Sequence, residues 1–270
     1  GVLLLFAGAV FLYLCILKHT GSTFLALVSS VSLLMNPYYF FHALQGFHDS
    51  QFFPLAWGVT VLGIFSKNIK IFILGLVLAF ATKENAAPIV FLIGFVAWYY
   101  TRDKRYLYIG VVSSIAMLFI TQWILKANIE DGKYMQLWMF THFGNSPAEI
   151  LETIFYKPSI VLGHIQMKIN YVKAIFLIPA GFFWPFGLPF FILAMPDFLI
   201  NLLSSPLGPI DYNWHFNHSV TFFLTLSSAM GINYIAQRVN RYRTVIYYTG
   251  GVLLISSPFF KYYPLIFGPI

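Results

Sequence analysis

The sequence predicts an all-α, polytopic transmembrane helical bundle, and three observations carry that prediction. Hydrophobic residues make up 59% of the 270 and charged residues only 9%. Mean hydropathy is +0.76. Apolar runs approaching the length of a bilayer recur along the whole chain. A soluble domain carries about 25% charged residues, so 9% cannot cover a soluble particle of this size, and hydrocarbon must solvate much of the surface. Aromatic content of 20% fits rings at headgroup level and between helices.

The runs and their breaks predict about ten crossings, several of them short or paired half-length helices, because a straight span needs roughly 20 residues. The first two are Val2 to Leu17 and Thr23 to Met35, followed by a polar, aromatic stretch from Asn36 to Gln51. The third runs from Phe52 to Phe65 and stops at Lys67 and Lys70. From Ile71 to Tyr100 the chain is apolar except for Lys83-Glu84-Asn85, which divides it into two short helices, since a charged pair midway along a lipid-facing helix costs several kcal/mol. The sixth run, Tyr106 to Leu125, follows the Arg102 to Arg105 cluster. Within the long polar segment Ala127 to Lys173, Ser146-Pro147-Ala148-Glu149 predicts a surface helix to Tyr156, with serine as N-cap and proline at the first helical position. Ala174 to Leu203 predicts a hairpin of two helices turning at Pro185 to Pro189. Val220 to Ala236 and Thr244 to Phe260 complete the set. With no internal repeat or linker, residues 1–270 are expected to form a single transmembrane domain. The opening Gly-Val-Leu, without Met, basic region or cleavage site, suggests an N-terminally truncated chain rather than a signal peptide.

The net charge of +7, from 16 basic and 9 acidic residues, is spread in small groups between apolar runs, which is a topology signal and not a nucleic-acid stripe. Lys18, Lys67 with Lys70, Arg102 to Arg105 and Arg238 to Arg243 alternate onto one face, cytoplasmic by the positive-inside rule. The opposite, extracytoplasmic face of the cell membrane then collects the candidate chemistry. Three patches result: Phe47-His48-Asp49, Lys83-Glu84-Asn85, and Asn201 through Asp211 to His218. Bland readings exist for each, as paired charges at helix ends or solvated loop histidines. Phosphate loops, H-E-x-x-H, G-x-S-x-G and CxxC are missing. The spacing of His215 and His218 allows a shared metal on a helix, but no third ligand is evident and no cofactor is implied. The single cysteine, Cys15, is expected to be inert packing.

The stretches LQGFHDSQFFPL at Leu44 to Leu55, ATKENAAPIVFLIG at Ala81 to Gly94, FGNSPAEILETIFYKP at Phe143 to Pro158, and MPDFLINLLSS with WHFNHS at Met195 to Ser219 resemble, in order and spacing, the predicted-membrane-protein family called domain of unknown function 2079. Gly46-Phe47-His48-Asp49 departs from the family's Asp-Phe-His-Pro, which moves the acid from before the histidine to after it. That family is in turn similar to the glycosyltransferase C superfamily, whose members take a sugar from a polyprenyl phosphate or diphosphate on the outer face. The resemblance implies a glycosyltransferase C-like fold, a polyprenyl-phosphate-linked sugar as donor and an extracytoplasmic acceptor. It implies acid–base roles among Asp49, His48, Glu84 and Asp211. Lys83, Asn201, His215 and His218 would hold the donor, and Phe47, Tyr212 and Trp214 would stack on sugar rings. In the superfamily the principal acid lies in a first outer loop, expected upstream of this sequence. The alternative is a non-enzymatic membrane protein: a transporter or flippase of lipid-linked glycans, or an inactive scaffold.

Overall fold

The computed structural model describes residues 2–36, 39, 49–83, 85–128, 137–168, 183–205 and 218–253. Among them, all regular structure is helical: α1 (Val2–Thr20), α2 (Thr23–Met35), α3 (Phe53–Phe65), α4 (Ile69–Thr82), α5 (Ala86–Thr101), α6 (Lys104–Asn128), α7 (Pro147–Tyr156), α8 (Pro158–Met167), α9 (Leu188–Leu203) and α10 (His218–Arg238). A further helical segment occupies 243–253. Among the described residues, four stretches are long and apolar enough to cross a membrane: Val2–Thr20, Lys104–Trp123, Trp184–Leu203 and His218–Arg238. Shorter apolar helices cover Thr23–Met35, Ile69–Thr82 and Ala86–Thr101. At 1.5 Å per residue a 13-residue helix such as α2 is about 20 Å long, well short of a hydrocarbon core of about 30 Å.

The breaks fall where local chemistry stops a helix. Asn68 caps α4 by accepting from the Lys70 and Ile71 amides at 3.0 and 3.3 Å. Arg102 closes α5 in the left-handed region at φ 60°, the geometry of a C-terminal stop. Lys83 is the C-cap of α4 and Asn85 the N-cap of α5, so the expected division at this tripeptide is present. Pro185 lies in a 3₁₀ turn, Trp184–Gly187, that runs directly into α9. The first limb of the expected hairpin lies outside the described residues.

Helix α10 is the axis of the bundle. Most of its length is buried, Ser219, Thr221, Thr225, Ser227, Ser228 and Asn233 included, and it packs against α1, α2, α3 and α9. Ser219, Ser227 and Asn233 work as links to other elements, since without a hydrophobic drive between helices in lipid such links and close packing hold the bundle. The Ser227 hydroxyl lies 2.8 Å from the carbonyls of both Trp184 and Gly187, and the Asn233 side chain accepts from the Tyr247 hydroxyl at 2.6 Å. Small residues let neighbours approach: a Cβ on Gly94 of α5 would lie 3.1 Å from the Gly110 Cα of α6. By contrast α6 is peripheral, with Val112, Phe119 and Trp123 exposed as a lipid-facing helix requires.

Contacts along the helices fix the two ends of the bundle. At one end, His19 stacks on Phe65 at 4.5 Å, and Phe65 and Tyr100 both pack against Phe190. The C-termini of α1, α3 and α5 thus meet, and Lys18, Lys67 and Arg102 flank this aromatic cluster. At the other end, the Tyr39 hydroxyl donates to the Leu5 carbonyl at 3.0 Å and its ring meets His218 edge-on at 5.6 Å. The Trp57 indole donates to the Ser219 hydroxyl there at 2.9 Å. Cys15 is fully buried, its thiol 3.2 Å from the Gly58 carbonyl, in keeping with inert packing.

Candidate functional site

The end opposite the basic cluster gathers polar side chains from four elements. Helices α3 and α4 form an antiparallel pair in which Gly63 faces Phe72 and Gly75 faces Thr60. The same register sets the start of α3 beside the end of α4. The 3₁₀ turn Asp49–Phe52, which enters α3, accordingly packs against α1, α3 and α4. Asp49 is exposed on this turn, its carboxylate accepting from the Ser50 amide at 2.8 Å, while Ser50 and Gln51 are buried beneath it. Lys83 and Asn85 leave α4 and enter α5 at the same end.

What joins these elements to α9 and α10 is Asp197. It sits one residue after Pro196 within α9, 2% exposed. The Asn85 side-chain amide donates to its carboxylate at 3.3 Å. Lys83 lies within electrostatic reach, and Ser219 of α10 faces the carboxylate as well. A buried charge without compensation costs many kcal/mol, so a carboxylate here requires the amide, the hydroxyl and the cation around it. The break between α4 and α5 is therefore held by a hydrogen bond across 112 residues of sequence.

A second polar cluster lies where α9 ends. The Lys168 ammonium, 7% exposed, donates to the Asn201 carbonyl at 2.7 Å and the Ser204 hydroxyl at 3.2 Å. The His164 Nε2 lies 3.1 Å from the carbonyls of both Leu202 and Ser204. Both partners accept, so this nitrogen carries the proton. The His142 ring stacks on His164 with centroids 4.4 Å apart, and the Ser205 amide donates to the Met139 carbonyl at 2.6 Å. The last turn of a helix leaves carbonyls without partners and a partial negative charge, and basic side chains from outside α9 meet both needs. Burial pushes both histidines below the ordinary imidazole value, with further lowering of His142 by His164 and Lys168 and of His164 by Lys168.

A model of the predicted-membrane-protein family, domain of unknown function 2079, matches residues 2–268. The chain belongs to that family. No curated protein and no solved structure matches it. The sequence motifs that resemble this family fall on the two clusters just described. ATKENAAPIVFLIG holds the α4–α5 break, FGNSPAEILETIFYKP holds α7, and MPDFLINLLSS holds Asp197 and the capped end of α9.

Of the residues expected to form a site in this family member, Asp49, Lys83, Asn201 and His218 are described. Their elements converge at the same end of the bundle. His218 is not a loop residue: it is the first residue of α10, 1% exposed beneath Tyr39. Asn201 is buried in the last turn of α9, its carbonyl held by Lys168. Phe47, His48, Glu84, Asp211, Tyr212, Trp214 and His215 lie outside the described residues, and with them the distance from His48 through Lys83 to His215. Sequence reading passed over Asp197, Lys168, His164 and His142. Asp197 carried a usable signal, an ionisable residue inside an apolar run, which marks a functional candidate. Nothing local distinguishes Lys168 or the histidines from other residues of a polar segment.

Proposed function

We propose that this protein is a membrane glycosyltransferase of the C type, moving a sugar from a polyprenyl-phosphate-linked donor to an extracytoplasmic acceptor. The observation that carries the reading is the arrangement around Lys83. A cation stands at the junction of two half-length helices, within electrostatic reach of the buried Asp197 that accepts from Asn85, on the end of the bundle away from Lys18, Lys67 and Arg102. In this reading the acceptor hydroxyl attacks the anomeric carbon of the donor sugar and the bond from that carbon to the phosphate oxygen breaks. The electron pair leaves with the phosphate, whose charge Lys83 offsets as it grows. The hydroxyl proton passes to a carboxylate, for which Asp49, Glu84 and Asp211 are the candidates and His48 a relay. His215 would frame the donor, and Phe47, Tyr212 and Trp214 would stack on its rings, while Asn201 and His218, 2 and 1% exposed, would act only from beneath by positioning their neighbours. Asp197 is a positioning residue, too enclosed to meet an acceptor. An apolar groove of about 210 Å³ between α1 and α2, lined by Phe6, Ala9, Val10 and Leu34 among others, offers a berth for the prenyl chain. Phe6 in its lining follows Leu5, whose carbonyl accepts from the Tyr39 hydroxyl next to His218.

The test is binding and turnover of a polyprenyl-phosphate sugar by the protein in lipid nanodiscs. Lys83→Met should weaken binding about 10- to 150-fold, the equivalent of a charge-assisted contact of about 1.5 to 3 kcal/mol, while Lys83→Arg keeps part of it. Binding that is indifferent to Lys83, with no sugar transfer, would leave the transporter or scaffold alternative.

A further inference from the structure

The junction of Lys83, Asn85 and Asp197 is closer to the basic end of the bundle than one face of a membrane is to the other. Helix α4 runs from beside Lys67 to Lys83 in 14 residues, and α5 from Asn85 to Arg102 in 16. At 1.5 Å per residue these helices are about 21 and 24 Å long, against a hydrocarbon core of about 30 Å. We infer that the junction lies inside the membrane, about 6 to 10 Å short of the boundary opposite the basic end, and that Lys83 takes the anionic headgroup of a lipid arriving sideways from the bilayer.

Lys18, Lys67, Arg102 and Lys104 are exposed and hold the basic end at its own boundary, as basic side chains beside a span do. The missing length is therefore at the other end. Two longer helices pass the junction and measure the depth independently. Gly94 of α5 faces Gly110 of α6, and the Ser114 hydroxyl donates to the Ala87 carbonyl at 2.7 Å. That antiparallel register sets Asn85 level with residues 115 and 116 of α6. From there to Trp123, where the apolar span Lys104–Trp123 ends, α6 runs about 10 Å further. On this stretch Leu118, Phe119, Ile120 and Trp123 are exposed and cover about 200° of the helix circumference. An apolar surface that wide needs hydrocarbon around it, so the membrane continues past Asn85. On α9, Asp197 precedes the end of the span Trp184–Leu203 by about 9 Å, and Leu199 between them is exposed. Helix α10 is displaced the other way. Ser227 bonds the Trp184 carbonyl at the basic end of the α9 span, and Arg238 follows about 16 Å later, so α10 overhangs the basic end and begins among the sunken groups.

Hydrocarbon rejects an ammonium or a carboxylate at this depth unless it is partnered or wetted. The Asp197 Oδ2 and the Asn85 Oδ1 are buried without a hydrogen-bond partner. Both can only accept, and water or a ligand hydroxyl supplies the donor they need. A soluble phosphate would have to leave water and pass the headgroup layer to reach Lys83. A lipid phosphate already lies at that layer, and its chain is solvated by the same hydrocarbon that covers α6. The inference rests on Lys83 as an anion-binding cation, as proposed above, but not on transfer of a sugar.

Depth is read from nitroxide labels on single cysteines at Ala81, Ile115, Phe119 and Trp123, in a Cys15→Ala background in phosphatidylcholine vesicles. Ile115, Phe119 and Trp123 lie on one exposed face of α6 in steps of about 6 Å, and Ala81 continues the exposed face of Ile73 and Val77 on α4. Relaxation by oxygen relative to a water-soluble nickel chelate should fall from Ile115 through Phe119 to Trp123, and Ala81 should read like Ile115. A value at Ala81 as low as that at Trp123 would put the junction at the surface and overturn the inference. The ligand is tested with hexadecyl phosphate carrying a diazirine in its chain, in phosphatidylcholine nanodiscs. Lys83→Met should cut crosslinking about 10-fold or more, Lys83→Arg should keep part of it, and a large excess of inorganic phosphate should leave it unchanged. Crosslinking indifferent to Lys83, or competed by inorganic phosphate as well as by unlabelled hexadecyl phosphate, would refute a lipid ligand. No sugar enters either arm, so absence of sugar transfer would not touch this result. The depth arm alters no residue of the junction, so it decides the matter even if Lys83→Met misfolds.

Discussion

Asp197 is an ionisable residue buried inside an apolar helix, and its consequences can be measured one substitution at a time. Asp197→Asn keeps an oxygen that can accept from the Asn85 amide, whereas Asp197→Ala leaves that donor and Ser219 facing a void. Removing one partner of a buried hydrogen bond typically costs about 1 to 3 kcal/mol. Asp197→Ala should therefore lower stability by about that amount and Asp197→Asn by clearly less, as read from denaturant unfolding in detergent. Equal losses would mean that the carboxylate's charge, through Lys83, matters more than the Asn85 bond.

At the scale of elements, the attachment of α7–α8 to α9 rests in part on two histidines whose protonation burial opposes. His142 and His164 both have folded-state values below their ordinary one. The folded form therefore binds fewer protons than the unfolded one as pH falls through 6.5, and their contribution to stability, present above the ordinary value, is lost as pH drops toward the lowered values. Lys168 acts on both, His164 acts on His142, and backbone carbonyls partly offset the lowering. Acidification from pH 7.5 to 5 should speed amide exchange in residues 147–168 relative to α3 and α5, and His164→Gln should blunt that difference. A pH-independent ratio would show that Lys168 alone sustains the attachment.

Across the whole molecule, the meeting of the α1, α3 and α5 C-termini at one end gives the charge pattern a geometric meaning. With Cys15→Ala as background, cysteines at Lys70, Lys104 and Arg241 should resist an impermeant thiol reagent in whole cells, and cysteines at Asp49 and Asn145 should react. Reversed labelling would place the Lys83 end in the cytoplasm and remove the proposed reaction from its compartment. The helices themselves were legible from hydropathy: α1 to α6, α9 and α10 all fall on apolar runs, because in lipid a segment must satisfy its own backbone hydrogen bonds and so becomes helical wherever it is apolar. The break at Lys83 and the cap at Ser146 were legible for equally local reasons, a charge that lipid rejects and a hydroxyl that an amide needs. Partnerships were not. Asn85 with Asp197, Trp57 with Ser219 and Lys168 with the end of α9 join residues 112, 162 and 33 positions apart, and hydropathy is indifferent to which helix packs beside which. The same blindness left His218 in a loop by sequence, when its neighbours Tyr39 and α9 make it the buried start of the central helix. The sequence by itself determined a membrane protein, its helices and its charge asymmetry, since these follow from how each segment partitions between water and hydrocarbon. Only the tertiary structure decided which buried polar groups meet, because a desolvated donor or acceptor is stabilised by whatever partner the packing brings within about 3 Å, and packing is a property of the assembled bundle.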